Sequence, residues 1–344
     1  MTTLRDRYRG CLLGGAVGDA LGAGIEFESL DEIRGSYGAA GVTGYVPAYG
    51  LTGAITDDTQ MTLFTAEGLL RDQQAPAGQR DTSAAIWRAY QRWMLTQSGG
   101  VQSGDGWLAS QEFLQHRRSP GMTCLNALSA PQPDPAGLAG NDSKGCGGVM
   151  RVAPAGLAGG DPFRLGCQAA ALTHGHPSGY LAAGALALMV ADLASGEALA
   201  QAVVHAVSEL RQADGGEEVA EAVDAAVRAA ELGPLGSYSL LELGEGWVAE
   251  EALAIAVHCA LSAGDFRSGV LHAVNHGGDS DSTGAICGNL LGASLGAGAI
   301  DAGLLAALEG ADVITQVADD LYDVFAEGQP PDPGRYPAEV TLGQ

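Results

Sequence analysis

The sequence predicts an all-α fold, on three observations. Apolar residues recur at helical spacing in segment after segment. Alternating apolar and polar stretches of five to eight residues, the mark of half-buried strands, do not recur. Glycine fills 52 of 344 positions, about twice the usual share of roughly 7%, with no collagen period. Small residues on that scale suit helices packed backbone against backbone.

The elements follow in order. Residues 5–21 read as a helix, followed by a Gly-rich turn to Glu26. Residues 58–71 place Met61, Phe64, Thr65 and Leu69 on one face. Residues 82–95 carry Ile86, Trp87, Tyr90, Trp93 and Met94 at helical spacing, opened by the capping stretch Asp81-Thr82-Ser83. Further helical periods cover 165–173, 178–193, 199–213, 217–231 (closed by Gly233-Pro234), 250–262, 266–274, 280–295 and 311–325. Residues 41–46 could form a short extended piece. Residues 75–79 and 131–141 are loop-sized. The expectation is roughly ten to fifteen helices of ordinary length in one compact domain over residues 1–328, with a Pro-rich tail at 329–344 and no internal repeat.

Composition narrows the function classes. The chain is 46% hydrophobic and 17% charged, against a usual charged share of roughly 25%, so it is a folded protein and not a disordered acidic chain. Forty-one acidic against 17 basic residues leave a net charge of −24. Such a surface repels nucleic-acid backbones and anionic lipid headgroups. The six cysteines are scattered, with neither a C-x-x-C pair nor zinc spacing, as buried thiols in a reducing cytoplasm would be. Arg5, Arg7 and Arg9 before the apolar stretch 11–17 resemble a secretory leader, but Asp19 and Glu26 interrupt it. The longest apolar runs, such as 181–191, fall short of the ~18 residues of a membrane span. A cytoplasmic protein without a membrane partner is expected.

The chemistry lies at the joints between helices. Thr56-Asp57-Asp58 and Asp279-Ser280-Asp281-Ser282 each lead straight into a helix. The first alone is accounted for by an N-cap and an acidic first turn, whereas the second carries more than a cap requires, since one cap needs only one Asp. Together, if they face each other, they present four carboxylates and two hydroxyls. That all-oxygen set suits Mg²⁺, Mn²⁺ or Ca²⁺ and not zinc, and two such ions about 4 Å apart could activate a water or hold substrate oxygens. A prenyl-diphosphate enzyme would need a third Asp after Asp57-Asp58, and Thr59-Gln60-Met61 stands there. The turn Ser143-Lys144-Gly145-Cys146-Gly147-Gly148 could bring backbone N–H groups to an anion or pack helices tightly. It is not a Walker A loop, since its lysine precedes the glycines. His174, between two helices, could cap a carbonyl or meet a ligand. His276 could orient the Asp279 loop or touch substrate. Trp247, flanked by glycines, could stack on a ring or anchor the core. Glu26, after a run of small residues, could sit on the surface or in a narrow cleft.

These motifs in this order, from Gly10-Cys11-Leu12 and Gly18-Asp19-Ala20-Leu21-Gly22 through Thr56–Thr59, Gly145–Pro154, Thr173-His174 and Gly277–Ser282, resemble the ADP-ribosylglycohydrolase family over residues 5–325. The resemblance implies an all-α fold with two Mg²⁺ ions, or Mn²⁺. Their ligands would be Thr56, Asp57 and Asp58 from one side and Asp279, Asp281 and Ser282 from the other, with Asp281 bridging. It implies cleavage of the bond from ADP-ribose to an acceptor, arginine-linked protein being the leading candidate over serine-linked or O-acetyl-ADP-ribose. Glu26 matches the family's cleft glutamate, so Glu26, Asp279 and Asp281 are the catalytic candidates. Ser143–Gly148 matches the pyrophosphate and ribose loop, and His174 and Trp247 match residues near the ligand. Cys146 and Lys144 depart from relatives that carry Asn and an aromatic there. The competing readings are a non-catalytic ADP-ribose binder on the same fold and an unrelated Mg²⁺-dependent phosphohydrolase.

Overall fold

The computed structural model describes residues 2–101, 106–130, 137–232, 240 and 242–338. Among these there are fifteen α-helices: α1 (Leu4–Gly22), α2 (Leu30–Tyr37), α3 (Asp57–Asp72), α4 (Thr82–Gln97), α5 (Met122–Ser129), α6 (Ala153–Leu157), α7 (Pro162–Ala171), α8 (Pro177–Ser195), α9 (Leu199–Gln212), α10 (Glu217–Glu231), α11 (Ala249–Ser262), α12 (Phe266–Val274), α13 (Ser280–Leu295), α14 (Ala302–Ala307) and α15 (Ala311–Leu321). One antiparallel hairpin, β1 (Pro47–Ala48) with β2 (Leu51–Thr52), is the sole sheet among the described residues. One continuous apolar core runs from Tyr8 to Tyr336.

The long helices lie where apolar periodicity places them, within a few residues at each end. The exception is the last, where α15 stops at Leu321 and the chain continues as a π-helical turn over Tyr322–Ala326. The helices without a periodic signal are short: α2, α5, α6 and α14 have 8, 8, 5 and 6 residues. Helix α2 did carry a legible mark, a capping box between Ser29 and Glu32. Residues 41–46 are not a strand; Asn275 holds them, its side chain accepting from Val42 N and donating to Val42 O. The expected stop at Gly233-Pro234 lies outside the described residues.

Helix α1 runs antiparallel against α13 along a seam of glycines spaced four apart, which places them on one face. A Cβ on Gly10 would stand 2.3 Å from the Gly292 carbonyl oxygen, one on Gly14 2.3 Å from Gly288 O, and one on Gly18 1.9 Å from Gly284 O. The backbones therefore touch. At the end of the seam Gly22 abuts Ser280 and Asp281, so the C-terminal end of α1 and the N-terminal end of α13 share one corner of the molecule.

Helix α8 is apolar enough (mean hydropathy 1.4) and, at 19 residues, long enough to cross a bilayer; 78% of its apolar window is buried inside the protein. The apolar stretch thus reaches beyond 181–191, and the core uses it. The start of the Pro-rich segment is fastened to the body. Tyr336 is buried with its hydroxyl donating to Asp320, Arg335 pairs with Asp320 at 2.8 Å, and Gln74 donates to Pro331 O and Tyr336 O.

Candidate active site

Both acidic corners open onto one cleft of about 340 Å³. Its walls carry Glu26, Asp57, Asp58, Asp279, Asp281 and Ser282, facing the glycine turn at Gly145–Gly147 and His174.

Each corner is set by local structure. Thr56 caps α3, its hydroxyl accepting from Asp58 N. The carboxylate of Asp19 on α1 reaches across to accept from Thr56 N, Thr59 N and the Thr59 hydroxyl. Asp57 accepts from Gly121 N at 3.3 Å. In the second corner Asp279 caps α13 by accepting from Ser282 N, and the same N–H also donates to Asp281 at 2.9 Å. Gly278 lets the chain pass against Glu245, whose oxygen a Cβ there would meet at 2.1 Å, and Asp279 N donates to Glu245 O. The 245–249 stretch also braces the glycine turn, through Cys146 N to Trp247 O and Ala249 N to Lys144 O.

The electrostatics are those of crowded, buried acids. Burial first, then the Asp279 charge, pushes Glu26 up to about 8. Burial raises Asp58 well above the ordinary carboxylate range, reinforced by Asp19, Asp57 and Asp279, and raises Asp281 in the same way, reinforced by Asp58, Glu26 and Asp279. Asp57 and Asp279 are raised too, again chiefly by burial. No lysine or arginine lines the cleft among the described residues. Glu26 Oε2 and Asp58 Oδ1 are buried there without a hydrogen-bond partner. Buried acceptors that lack donors and repel one another call for cations, and the donor set is hard oxygen throughout. No three His, Cys, Asp or Glu side chains among the described residues are arranged to hold a metal ion; instead the carboxylates accept from backbone N–H groups, and the Cys146 thiol lies 2.7 Å from Asp279. It is in donor type and in their orphaned oxygens, not in a ready-made ligand geometry, that these residues suit divalent ions.

A sequence profile of the ADP-ribosylglycohydrolase family matches residues 1–331. The chain belongs to that family. It is therefore a hydrolase of the class that cleaves glycosidic bonds of ADP-ribose. Among its relatives is the ADP-ribosyl-[dinitrogen reductase] glycohydrolase of Rhodospirillum rubrum, 30% identical over 319 residues, covering 89% of this chain and 92% of the relative. The ADP-ribosylhydrolase ARH3 of Danio rerio is 25% identical, covering 93% and 90%. A solved structure, an ADP-ribosylglycohydrolase-related protein complex, superposes with a TM-score of 0.70 at 29% identity, covering 94% of this chain and 99% of the other.

Within this family frame the placement of the other expected residues differs from one to the next. Gly145, Cys146, Gly147, His174 and Trp247 line the cleft. Trp247 is no core anchor: it is 39% exposed and stacks on Phe27, itself 73% exposed, at 5.8 Å between ring centroids and 13° between planes. Lys144, Ser143, Gly148, Thr56 and His276 are not among the lining residues. Lys144 pairs outward with Glu218 and Glu250. Ser143 lies 3.1 Å from the Thr123 hydroxyl. His276 is buried behind its loop, its Nε2 2.9 Å from the Thr283 hydroxyl. His174 Nδ1 lies 2.8 Å from the Thr173 hydroxyl, and burial, then the Arg151 charge, lower its pKa to about 3.

Sequence reasoning missed the rim. Ser119 and Tyr49 are the non-glycine residues with positive φ (48° and 52°) among those described, and their hydroxyls meet at 2.6 Å. Ser119 also hydrogen-bonds Glu26. Strain of this kind gathers at functional sites. The available signal was Tyr49-Gly50, a two-residue turn between short extended pieces.

Proposed function

We propose that the enzyme uses two Mg²⁺ or Mn²⁺ ions to release ADP-ribose from arginine-linked protein substrates. The observation that carries this reading is the meeting of two distant acidic helix N-termini in one cleft without a cationic side chain among its described lining residues. Thr56, Asp57, Asp58, Asp279, Asp281 and Ser282 would hold the ions. When bound, such ions supply positive charge for ribose hydroxyls and lower the pKa of a water.

The chain's own groups do the rest. Glu26, whose Oε2 has no hydrogen-bond partner, would accept a proton from the attacking water once bound cations bring its raised pKa down and leave it ionised. Asp279 and Asp281 line the same cleft and would share the bound cations' charge. Backbone at Gly145 and Gly147, which carry no side chain, would offer a close approach to the diphosphate on either side of Cys146.

The lean toward arginine rests on the rim. A planar guanidinium stacks on aromatic faces, and Phe27 and Trp247 present such faces beside Glu245, which accepts from Trp247 Nε1 at 3.2 Å. Release of ADP-ribose from arginine-, serine- and O-acetyl-linked substrates, with Mg²⁺ and with EDTA, tests the reading. Arginine-linked turnover abolished by EDTA is expected. Release indifferent to EDTA removes the metal mechanism, and preference for another linkage removes the arginine assignment.

A further inference from the structure

We propose that Arg151 and Thr173 set the tautomer of His174, so that its Nε2–H is a fixed hydrogen-bond donor to an oxygen of the ADP-ribose moiety in the cleft. The substrate half of this inference rests on the functional reading above; the tautomer half does not.

Arg151 is fully buried below the cleft, its guanidinium 4.3 Å above the Tyr90 ring. Its Nη2 donates to Thr173 Oγ1 at 2.6 Å and to Ala169 O at 3.2 Å, while Nη1 faces the sulfurs of Cys124 and Met61. Thr173 has one hydroxyl proton and three acceptors in reach: His174 Nδ1 at 2.8 Å, Ala170 O at 3.4 Å and the weakly accepting Cys124 sulfur. An oxygen that accepts from a guanidinium becomes a stronger donor, and its proton goes to the nearer of the two stronger acceptors. The reverse arrangement would set an Nδ1–H on the oxygen's second lone pair, beside a fixed positive charge, and leave the hydroxyl proton only the longer bond to Ala170 O or the weak sulfur. Nδ1 is therefore the acceptor, and the ring proton sits on Nε2.

Nε2 points to the glycine turn. A Cβ built on Gly147 would stand 3.4 Å from it and one on Gly145 3.6 Å, and all three residues line the cleft. The low pKa of His174 agrees with this assignment, since a ring that stays neutral donates through one nitrogen only. Arg151 and Thr173 are thus positioning residues, acting on substrate through His174. The arrangement also explains why a buried arginine stands here: its charge orients a neutral donor instead of pairing with the cleft acids.

Nitrogen-15 NMR of the histidine side chains decides the tautomer, His174 being assigned by its disappearance in His174→Gln. At pH 7 a neutral ring with pyrrole-type Nε2 and pyridine-type Nδ1 is expected, and adding ADP-ribose should move the Nε2–H signal. Thr173→Val should shift the ring toward Nδ1–H and raise KM about tenfold, the loss of one hydrogen bond, with kcat little changed. Thr173→Ser should keep the wild-type spectrum and KM. If Thr173→Val does not fold, the wild-type spectrum and Thr173→Ser decide. An Nδ1–H tautomer in the wild type, or an unchanged tautomer in Thr173→Val, overturns the proposal. ADP-ribose binding to a protein whose His174 is Nδ1–H overturns it alone. An Nε2–H ring in a protein that does not bind ADP-ribose overturns the functional reading and the substrate half together.

Discussion

The seam between α1 and α13 and the cleft at its end are built on opposite principles, though they share residues within one turn of each other. The seam has almost no side chains: Gly10, Gly14 and Gly18 lie against Gly292, Gly288 and Gly284 with backbone touching backbone. The cleft is crowded with side chains that repel one another, and burial lifts every one of its carboxyls above the ordinary range. Dense backbone contact gains dispersion and excludes water. Clustered buried acids forfeit stability. The comparison teaches that the seam supplies the rigidity with which the cleft can hold an unfavourable arrangement.

The sharpest way to break the contrast is to fill the seam. Gly288→Val puts a Cβ about where the Gly14 carbonyl oxygen stands, at 2.0 Å. Neither backbone can give way without tilting α13, so a loss of about 3 kcal/mol or more is expected, read by chemical denaturation. A loss under about 1 kcal/mol would mean the helices part easily.

Next comes the cleft. Asp281→Ala should lower turnover about 10²- to 10³-fold, the scale of losing a central electrostatic group, while the metal-free melting temperature holds or rises. Calorimetry beside the activity assay checks both. A fall in stability comparable with that of the glycine variant would erase the distinction between the two regions.

The third test is pH. Asp19 titrates at about 6 and Glu26 at about 8 in the folded protein, above the unfolded carboxyl values of roughly 4. The native state therefore binds protons more tightly than the unfolded chain. The associated stability is fully present below roughly pH 4 and is lost as pH rises toward 8. Metal-free protein in EDTA should melt progressively lower from pH 5 to pH 8, and Mg²⁺ should raise the melting temperature most at pH 8. A flat profile in EDTA would show that the acids do not repel as described.

The smallest expected effect is at the rim. Trp247→Ala removes the partner of Phe27 and should raise KM for an arginine-linked substrate about fivefold, the range of an exposed stacking or cation–π contact, leaving stability within about 0.5 kcal/mol. Equal KM changes for serine-linked substrate would remove the rim from acceptor selection.

Much of this molecule could be read before any coordinates. The period of 3.6 marked helices such as α9, α10 and α15 because each buries one face, and the capping residues Asp81, Thr56 and Asp279 marked where three others start. The short helices α5, α6 and α14 were not legible, since five to eight residues hold too few turns for a period to show. Nor was the role of Asp19: within α1 it reads as one polar residue among apolar ones, and only the fold brings it to Thr56 N and Thr59. Lys144 and His276 looked equivalent to their cleft-lining neighbours, but a side chain at a loop can leave on either side, and packing sends these two away.

What the sequence alone determined is the inventory: helices, a glycine period of four on α1 and again on α13, and two acidic corners of hard oxygen donors. Those are local properties, carried by spacing and residue chemistry. Which corners meet was decided by tertiary structure. The glycine seam lets α1 and α13 approach to backbone contact, and that contact brings Asp279 and Asp281 beside Asp19 and Glu26. Residues more than two hundred positions apart become neighbours only when the whole chain has paid the entropy of folding, and no local pattern records that outcome.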